Sequence, residues 1–298
     1  MASRYLPADS RAGVGGDWFD VIPLSGSRVA LVVGDVVGHG INACATMGRL
    51  RTAVRTLADV DLPPDELLTY LDDLVIHLTD DEQDTTAEET MDTGADQATT
   101  GEVGATCLYA VHDPVSRHCA LASAGHPLPA LVSPDGGADL VRGFTGPPLG
   151  VGGPSFETTE LELPAGSVLA LYSDGLVRSS DRDIDAGLTK LCDALPVPVP
   201  VPDTSMDAAC DTVLCALAAD RPADDITLLL ARTHALTPDR VAGWDITADP
   251  AVVMQARKPA VEQLDAGGCG ICPSSPSCWS ASWSPMPSAT APRRSICG

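Results

Sequence analysis

The sequence predicts an α+β fold in which antiparallel sheets carry helices on their outer faces. Short β-branched apolar runs have the length of strands, and turn-forming segments such as "PLSGS", "HDPVSRH" and "SPDGG" separate several of them. Three longer segments show the apolar spacing of a helix. Hairpin-like strand pairs outnumber strand–helix–strand units, which favours antiparallel pairing over a parallel sheet.

The predicted elements follow one another from residue 17 to residue 231. Strands are expected at 17–24, 28–34, 105–111, 118–124, 167–172 and 226–231, where apolar residues run together. Helices are expected at 41–58, 65–79 and 205–220, the second of which opens after Pro63-Pro64. With 298 residues, 44% of them hydrophobic, the chain is long enough to bury one large core with some length left over.

The segment 80–102 differs from its neighbours because it is acidic and contains neither lysine nor arginine. Such a composition cannot bury enough apolar surface to become ordered. We therefore expect a solvated loop inserted between a helix and a strand, with a cation-collecting segment as the weaker alternative.

The formal net charge of −23 at pH 7 argues against a nucleic-acid partner, because the chain shows no basic patch to offset the repulsion. No window reaches the ~18 to 20 apolar residues that a membrane span needs, and the N-terminal stretch lacks the apolar core of a signal peptide. We therefore expect a cytoplasmic protein without membrane association. Cysteines inside apolar segments are expected to be small buried hydrophobic residues: Cys44, Cys107, Cys119, Cys192, Cys210 and Cys215.

Four aspartates share one setting, the end of an apolar strand beside glycine or a turn. Asp17 opens "DWFD" after two glycines, and Asp35 ends the run "VALVVGD". Asp174 ends "VLALYSD", and Asp224 with Asp225 opens "DDITLLLAR". Carboxylates that converge at one sheet edge repel one another unless cations neutralise them, and hard oxygen ligands favour Mg²⁺ or Mn²⁺. A turn or cap role explains any one of these aspartates more simply, but the shared setting of all four favours a pair of metal ions.

Five motifs, "GGDWFDV", "GDVVGHG", "SAGHPLP", "YSDGL" and "DDITLLLAR", occur in the order and at the rough spacing found in bacterial PP2C-type phosphatases. Over residues 3–233 the chain most resembles the SpoIIE/RsbU-like branch, whose members dephosphorylate regulators of sigma factors. The resemblance implies a four-layer αββα sandwich of two antiparallel sheets, with two Mn²⁺ or Mg²⁺ ions between them. It also implies hydrolysis of phosphoserine or phosphothreonine by a metal-bridged hydroxide, without a covalent phosphoenzyme.

Carried over motif by motif, the resemblance implies catalytic metal ligands at Asp17, Asp35, Asp174 and Asp224. Asp17 corresponds to the bridging ligand, and Val36 would add its backbone carbonyl. Asp224 is preferred to Asp225 because it occupies the first acidic position of its motif, and Asp225 would then support the ligands from behind.

Other motif residues are expected to support the ligands or to border the substrate. Gly38, His39 and Gly40 would form the turn that lets the next helix N-terminus approach the metals or the phosphate, and Gly175 belongs to the turn after the third aspartate. His39 is favoured as a turn-stabilising residue, with a general acid as the alternative. His126 is expected to be structural or to lie at the substrate edge. Eukaryotic PP2C enzymes have a phosphate-clamping arginine near the N-terminus, and no arginine here stands in an obvious equivalent position.

The chain is expected to divide into a phosphatase domain at 1–235, a linker with an ATPase-like remnant at 236–266, and a disordered tail at 267–298. The stretch "WDITADPAVVMQARKPAVEQLDAGG" resembles the linker strand and first helix of an anti-sigma-type ATPase, but the Asn- and Gly-rich ATP-binding motifs do not follow. The abrupt change of composition at the tail points to a frameshift or a truncated second domain. A zinc site in the tail is disfavoured, because "CGIC" has no matching second pair of cysteines.

The leading hypothesis is a metal-dependent protein serine/threonine phosphatase that acts on a phosphorylated regulator, an anti-sigma-factor antagonist of the STAS type. The alternative is a catalytically weak or silent module that binds a partner through the same fold, and the intact set of four aspartates argues against it. A cyclic-dinucleotide synthase, which "GGD" would indicate, does not fit because Trp18-Phe19 replaces the acidic and aromatic continuation.

Overall fold

Two five-stranded antiparallel sheets form the centre of the protein, and helices cover their outer faces. The structure is a computed structural model. It describes residues 1–8, 15–38, 40–89, 104–178, 183–195, 204–218, 222, 224–236, 262–263, 281–282 and 295–296. Within these ranges, no helix is both long enough and apolar enough to cross a membrane.

Among the described residues, three groups of strands are separated along the chain by two groups of helices. The strands are β1 (Ala2–Leu6), β2 (Trp18–Pro23), β3 (Val29–Val36), β4 (Ala105–His112), β5 (His118–Ala124), β6 (Ala130–Val132), β7 (Ala138–Leu140), β8 (Thr159–Glu162), β9 (Val168–Tyr172), β10 (Ile226–Arg232), β11 (Ala281–Ser282) and β12 (Ser295–Ile296). The helices are α1 (Ile41–Ala58), α2 (Pro64–Glu89), α3 (Asp174–Val177), α4 (Ile184–Ala194) and α5 (Thr204–Leu217).

Each large sheet collects strands from distant parts of the chain. Sheet I has the order β2-β3-β4-β5-β8, and sheet II has the order β1-β10-β9-β6-β7. Every neighbouring pair in both sheets is antiparallel. The chain crosses from sheet I to sheet II between β5 and β6, which brings the segment 125–129 across the space between the sheets.

The alternation of side chains along each strand creates four layers. In β3, Ala30 and Val32 face the helices α1 and α2, whereas Leu31 and Val33 face sheet II. This follows from the period of two along a strand, which sends successive side chains to opposite faces of the sheet. The outer face of sheet II is covered by α3, α4 and α5, so the order of layers is helices, sheet I, sheet II, helices. The predicted α+β sandwich of antiparallel sheets is confirmed.

Apart from helix α2, which ends ten residues later than predicted, the predicted strands and helices are found with small shifts at their ends. Helix α1 begins and ends as predicted, and all six predicted strands are present. The short edge strands β1, β7 and β8, the short inner strand β6 and the helices α3 and α4 were missed, because they lack a long apolar run. Helix α4 carries a local signal in Asp183, whose carboxylate accepts a hydrogen bond from the main-chain nitrogen of Ile184 at 2.8 Å.

The predicted acidic loop at 80–102 is wrong for residues 80–89, whose backbone continues helix α2 as far as Glu89. Extending a helix that has already formed adds one hydrogen bond per ordered residue, and this stretch is rich in good helix formers such as Glu, Gln and Ala. The rest of the predicted loop, residues 90–102, lies outside the described residues, as does most of the segment 237–298. Within that last segment, β11 and β12 pair with each other, and residues 262–263 are helical.

Candidate metal centre

Sheet I brings Asp17 and Asp35 to the same sheet end. The register of β2 against β3 pairs Trp18 with Gly34, so the residues next to this pair, Asp17 and Asp35, lie side by side. Asp17 is 6% exposed, and Asp35 is partly buried. The main-chain nitrogen of Val36 donates a hydrogen bond to the carbonyl oxygen of Gly16 at 3.2 Å, which closes this end of the strand pair.

Sheet II brings Asp174 and Asp224 to its own corresponding end. Strands β9 and β10 are antiparallel neighbours, with Leu228 opposite Tyr172, so the end of β9 lies beside the start of β10. Asp174 lies two residues after the end of β9 and is the first residue of α3, while Asp224 lies two residues before the start of β10. A hydrogen bond of 3.0 Å from the main-chain nitrogen of Ser173 to the carbonyl oxygen of Thr227 holds these two segments together.

The electrostatics show that the two pairs of aspartates face one another. Burial raises the pKa of Asp35, and the negative charges of Asp224 and Asp174 raise it further. Burial likewise raises the pKa of Asp17 well above its ordinary value, and the charge of Asp35 adds to this. For Asp224, burial and the charges of Asp174 and Asp225 act in the same direction. Carboxylates from both sheets therefore share one electrostatic field.

Two glycines allow the backbone to approach this group of carboxylates. A Cβ atom on Gly16 would stand 2.3 Å from the carbonyl oxygen of Val36 and 3.0 Å from Oδ1 of Asp35. A Cβ atom on Gly175 would stand 2.2 Å from the carbonyl oxygen of Asp225. Only glycine fits at these two positions without a shift of the backbone, which explains why glycine neighbours the aspartates in both motifs.

The turn after Asp35 depends on glycine for a different reason. Gly38 and Gly40 have φ values of 104° and 89°, in the left-handed region that other residues rarely adopt. Gly40 directly precedes α1 and its carbonyl oxygen accepts the hydrogen bond of the Cys44 main-chain nitrogen. The predicted turn leading into this helix is thus present, whereas His39 itself lies outside the described residues.

Residues of the N-terminal segment donate hydrogen bonds to the carboxylate of Asp225. Its Oδ1 accepts a hydrogen bond from the main-chain nitrogen of Ala8 at 2.8 Å, and its Oδ2 lies 3.3 Å from the hydroxyl of Tyr5. The same hydroxyl accepts a hydrogen bond from the main-chain nitrogen of Gly15 at 3.0 Å. Burial and the charge of Asp225 raise the pKa of Tyr5 to about 12. Sequence reasoning missed Tyr5, because nothing in "ASRYL" marks it before β1 is seen to pair with β10.

His126 joins the two sheets beside the carboxylates. It is buried, its Nε2 lies 3.1 Å from the carbonyl oxygen of Tyr172 in sheet II, and its Nδ1 lies 2.8 Å from Oγ1 of Thr106 in sheet I. Because a carbonyl only accepts, Nε2 carries the proton and Nδ1 accepts from the threonine hydroxyl. Burial lowers the pKa of His126 to about 4, so the ring is neutral. Thr106 is the register partner of Asp35, which places this contact next to the site.

Asp20, three residues after Asp17, ties sheet I to helix α1. Its buried carboxylate accepts hydrogen bonds from Nε and Nη2 of Arg55, the second at 2.6 Å, and Arg51 contributes a longer one. Burial alone would raise the pKa of Asp20, but the hydrogen bonds from Arg55 and from the Val21 nitrogen hold it below its usual value. Sequence reasoning missed this contact, because it depends on how α1 packs against β2.

A cavity of about 390 Å³ opens beside the carboxylates. Asp35 and Asp174 are among the residues that line it, and its walls are otherwise largely apolar. The apolar residues in the lining include Pro127, Leu128, Leu140, Val141, Ile184 and Leu188. Arg178 is the one positively charged residue among the described residues that line this cavity. The cavity therefore connects the carboxylate group with solvent along an apolar wall.

The donor set at this end of the sandwich fits hard divalent cations. Oδ2 of Asp17 is buried and has no hydrogen-bond partner among the described residues, which is costly for a carboxylate oxygen unless a cation satisfies it. Several aspartates, with the carbonyl oxygen of Val36 as a further oxygen donor, match the oxygen ligands that Mg²⁺ and Mn²⁺ prefer. As they stand, no three His, Cys, Asp or Glu side chains of the described ranges are arranged to hold an ion, so binding would have to draw the repelling carboxylates together.

Solved structures of bacterial phosphatase domains share this architecture. The RsbU and RsbW domains of Rv1364c from Mycobacterium tuberculosis match with 30% identity and a TM-score of 0.61, over 89% of this chain and 67% of that one. The PP2C domain of SpoIIE from Bacillus subtilis, solved with a fragment of its regulatory domain, matches with 16% identity and a TM-score of 0.58, over 80% and 64%. RsbX in complex with magnesium matches with 17% identity and a TM-score of 0.51, over 76% and 92%.

The family model of Stage II sporulation protein E (SpoIIE) matches residues 25–234, which is more than half of the chain. This range contains α1, α2 and nearly all strands of both sheets, together with Asp35, Asp174 and Asp224. The chain therefore belongs to the Stage II sporulation protein E (SpoIIE) family and contains a PP2C-type serine/threonine phosphatase domain, a hydrolase.

Proposed function

We propose that the protein removes phosphate from phosphoserine or phosphothreonine of a regulatory protein, with two Mn²⁺ or Mg²⁺ ions bound by its aspartates. The proposed ligands are Asp17, Asp35, Asp174 and Asp224 together with the carbonyl oxygen of Val36. The observation that carries the proposal is the mutual repulsion of carboxylates from both sheets around the buried, unpartnered Oδ2 of Asp17. Divalent cations bound among these carboxylates would offset their repulsion.

Bound divalent ions supply Lewis acidity: they lower the pKa of water to near neutrality and neutralise charge on the phosphoryl group. The residues of this chain supply the geometry. Asp17 and Asp35 come from sheet I, Asp174 and Asp224 come from sheet II, and ions held between them would be fixed from both sides. Neutral His126 keeps the two sheet ends in register through Thr106 and Tyr172. No side chain is required to form a covalent phosphoenzyme.

Two contacts hold the proposed ligands from outside. Asp225, fixed by Ala8 and Tyr5, supports the segment that carries Asp224, and its main-chain nitrogen donates a hydrogen bond of 2.8 Å to Oδ1 of that residue. Hydrogen bonds of this kind fix the orientation of metal ligands and typically change metal affinity about 10- to 100-fold when removed.

The regulatory partner is proposed from the relatives. The RsbU domain of the mycobacterial relative is solved together with an RsbW domain, and members of the SpoIIE/RsbU-like branch act on regulators of sigma factors. We propose a phosphorylated anti-sigma-factor antagonist of the STAS type as the substrate. The net charge of −23 is consistent with a protein substrate rather than a nucleic acid, because the latter would be repelled.

The first test is Mn²⁺-dependent hydrolysis of p-nitrophenyl phosphate by the wild type, Asp174→Asn and a matched control, Asp139→Asn. Asp139 lies on the exposed strand β7, outside the group of proposed ligands. We expect Asp174→Asn to lose about 100-fold or more of the activity and Asp139→Asn to retain it. Turnover that is unaffected by removal of divalent ions, or equal losses in the two variants, would contradict the proposal.

The second test concerns the substrate class. Phosphoserine, phosphothreonine and phosphotyrosine peptides of one sequence are compared for release of inorganic phosphate, followed by a phosphorylated STAS-type antagonist. We expect the first two peptides to be hydrolysed and the antagonist to react faster than any free peptide, because a folded partner adds contacts outside the site. A complete lack of metal-dependent turnover would instead favour a silent, partner-binding relative.

A further inference from the structure

Arg178 stands at the mouth of the cavity, directly beside a proposed metal ligand. It ends helix α3, one turn after Asp174, and its Nη1 lies 3.1 Å from Oδ2 of that aspartate. The side chain of Arg178 is 65% exposed, whereas that of Asp174 is 29% exposed. The guanidinium therefore reaches from solvent to the edge of the carboxylate group.

The charge balance of the site calls for one more cation when a phosphate enters. The positive charge of two divalent ions would be used up in neutralising the four proposed aspartate ligands. Asp225 adds a further negative charge close to Asp224. A phosphate monoester brings about two more negative charges near pH 7. Of the described residues that line the cavity, Arg178 alone is positively charged, since His126 is neutral. Among the described residues, Arg178 is therefore the one positively charged side chain that a dianion meets on its way through this cavity to the proposed metal ions.

The ion pair between Arg178 and Asp174 leaves the arginine available. Exposed pairs of this kind contribute little to stability, because solvent screens the charges and two long side chains must be held in one place. A planar guanidinium can bind two oxygens of a phosphate at once, whereas a single carboxylate oxygen gives it one contact. An incoming phosphate can thus replace Asp174 as the partner of Arg178 at small cost.

We propose that Arg178 binds the phosphate group of the substrate at the mouth of the cavity. The apolar wall formed by Leu128, Leu140 and Leu188 then receives the non-polar part of the phosphorylated residue or its neighbour. This assignment rests on the proposed function. It gives the chain a phosphate-binding arginine directly after α3, far along the sequence from the position of the N-terminal arginine of eukaryotic PP2C enzymes.

The test measures binding rather than turnover alone. Wild type, Arg178→Gln, Arg178→Lys and Arg142→Gln are loaded with Mn²⁺, and the affinity for inorganic phosphate is measured by isothermal titration calorimetry. Arg142 is a matched control, because it is exposed and borders the neighbouring groove between β7 and α4 instead of the carboxylates. We expect phosphate affinity to fall about tenfold in Arg178→Gln, to fall less in Arg178→Lys, and to stay unchanged in Arg142→Gln.

Two further measurements separate phosphate binding from a structural role. Affinity for Mn²⁺ without phosphate should change by less than about threefold in Arg178→Gln, because an exposed ion pair adds little. The KM for p-nitrophenyl phosphate should rise more than kcat falls, since the contact is already made in the bound substrate. An unchanged phosphate affinity, or a loss of Mn²⁺ affinity as large as the loss of phosphate affinity, would overturn the assignment.

The outcome for the wild type distinguishes this inference from the proposed function. If the wild type binds Mn²⁺ and hydrolyses p-nitrophenyl phosphate while Arg178→Gln behaves like Arg142→Gln, only the role of Arg178 is wrong. If the wild type binds neither Mn²⁺ nor phosphate, the metal site and the phosphate contact are both wrong.

Discussion

His126 and Tyr172 are joined across the two sheets by a hydrogen bond of 3.1 Å from Nε2 to the main-chain carbonyl oxygen. Tyr172 is the last residue of β9, two residues before Asp174, and the other ring nitrogen of His126 meets Thr106, the register partner of Asp35. One buried side chain therefore connects the strand ends that carry proposed ligands from both sheets. The ring is neutral because burial disfavours its charged form and lowers the pKa of His126 to about 4.

The first prediction concerns the pH dependence of stability. The pKa of His126 is lowered to about 4 in the folded protein, against an ordinary value of 6.5, so the folded state binds fewer protons than the unfolded state between these values. Its contribution to stability is complete above pH 6.5 and is lost as the pH falls toward 4. Between pH 7.5 and 5 we expect this loss to be about 2 kcal/mol in the free energy of unfolding, measured by urea denaturation.

The matched variant is His126→Gln, which cannot titrate. It should be less stable than the wild type at pH 7.5 by about 1–3 kcal/mol, because two buried hydrogen bonds are disturbed, and the difference should shrink at pH 5. The carboxylates of the site titrate in both proteins, so their effect cancels in the comparison. A constant difference between the two proteins across this pH range would contradict the assigned neutral state of the ring.

The second prediction concerns Asp20 and Arg55. Arg55→Gln leaves the buried carboxylate of Asp20 without its main partner, and we expect the free energy of unfolding to fall, though by less than for a fully buried pair because Arg55 is half exposed. Arg49→Gln, at an exposed position of the same helix, is the control. In the double variant Asp20→Asn/Arg55→Gln the losses should be less than additive, since the uncompensated charge is gone. Additive losses would mean that the two side chains do not interact.

Long apolar runs made part of this fold predictable, and contacts between distant segments made the rest unpredictable. Strand β3 was predicted from its continuous apolar run and helix α1 from the helical spacing of its apolar residues, and each signal lies within one segment. Strand β1 was missed because "ASRYL" has no such signal and is ordered by pairing with β10. Helix α2 was predicted too short because composition alone does not include the gain from extending an existing helix.

The candidate site shows the same division. The four aspartates were predictable because each lies at a strand end within a recognisable motif. Tyr5, the Asp20–Arg55 pair and the bridge made by His126 were not, because each depends on which strands and helices pack against one another. Arg178 was likewise overlooked, since its importance comes from its place in a cavity that the sequence does not reveal.

The third prediction concerns Gly16. Because a Cβ atom there would stand 2.3 Å from the carbonyl oxygen of Val36, Gly16→Ala must push apart the strand ends that carry Asp17 and Asp35. We expect a loss of about 1–3 kcal/mol in the free energy of unfolding, together with weaker Mn²⁺ binding. Gly48→Ala is the control, because nothing lies within 4 Å of the added Cβ and the position is inside α1. That change should be neutral or stabilise the protein by up to about 1 kcal/mol.

The fourth prediction follows from the repulsion among the carboxylates. Without divalent ions, Asp35→Asn removes one of the mutually repelling charges and should raise the midpoint of thermal unfolding above that of the wild type. With saturating Mn²⁺ the order should reverse, because only the wild type gains the full free energy of ion binding, about 2.7 kcal/mol at 100 times the dissociation constant. Calorimetric scans of both proteins with and without Mn²⁺ test this reversal.

Asp72→Asn serves as the control, since Asp72 lies on α2 and its Oδ1 accepts a hydrogen bond from the Gly150 nitrogen, away from the proposed ligands. The prediction is contradicted if the Asp35→Asn protein is less stable than the wild type under both conditions. That result would show that this carboxylate stabilises the fold without bound cations.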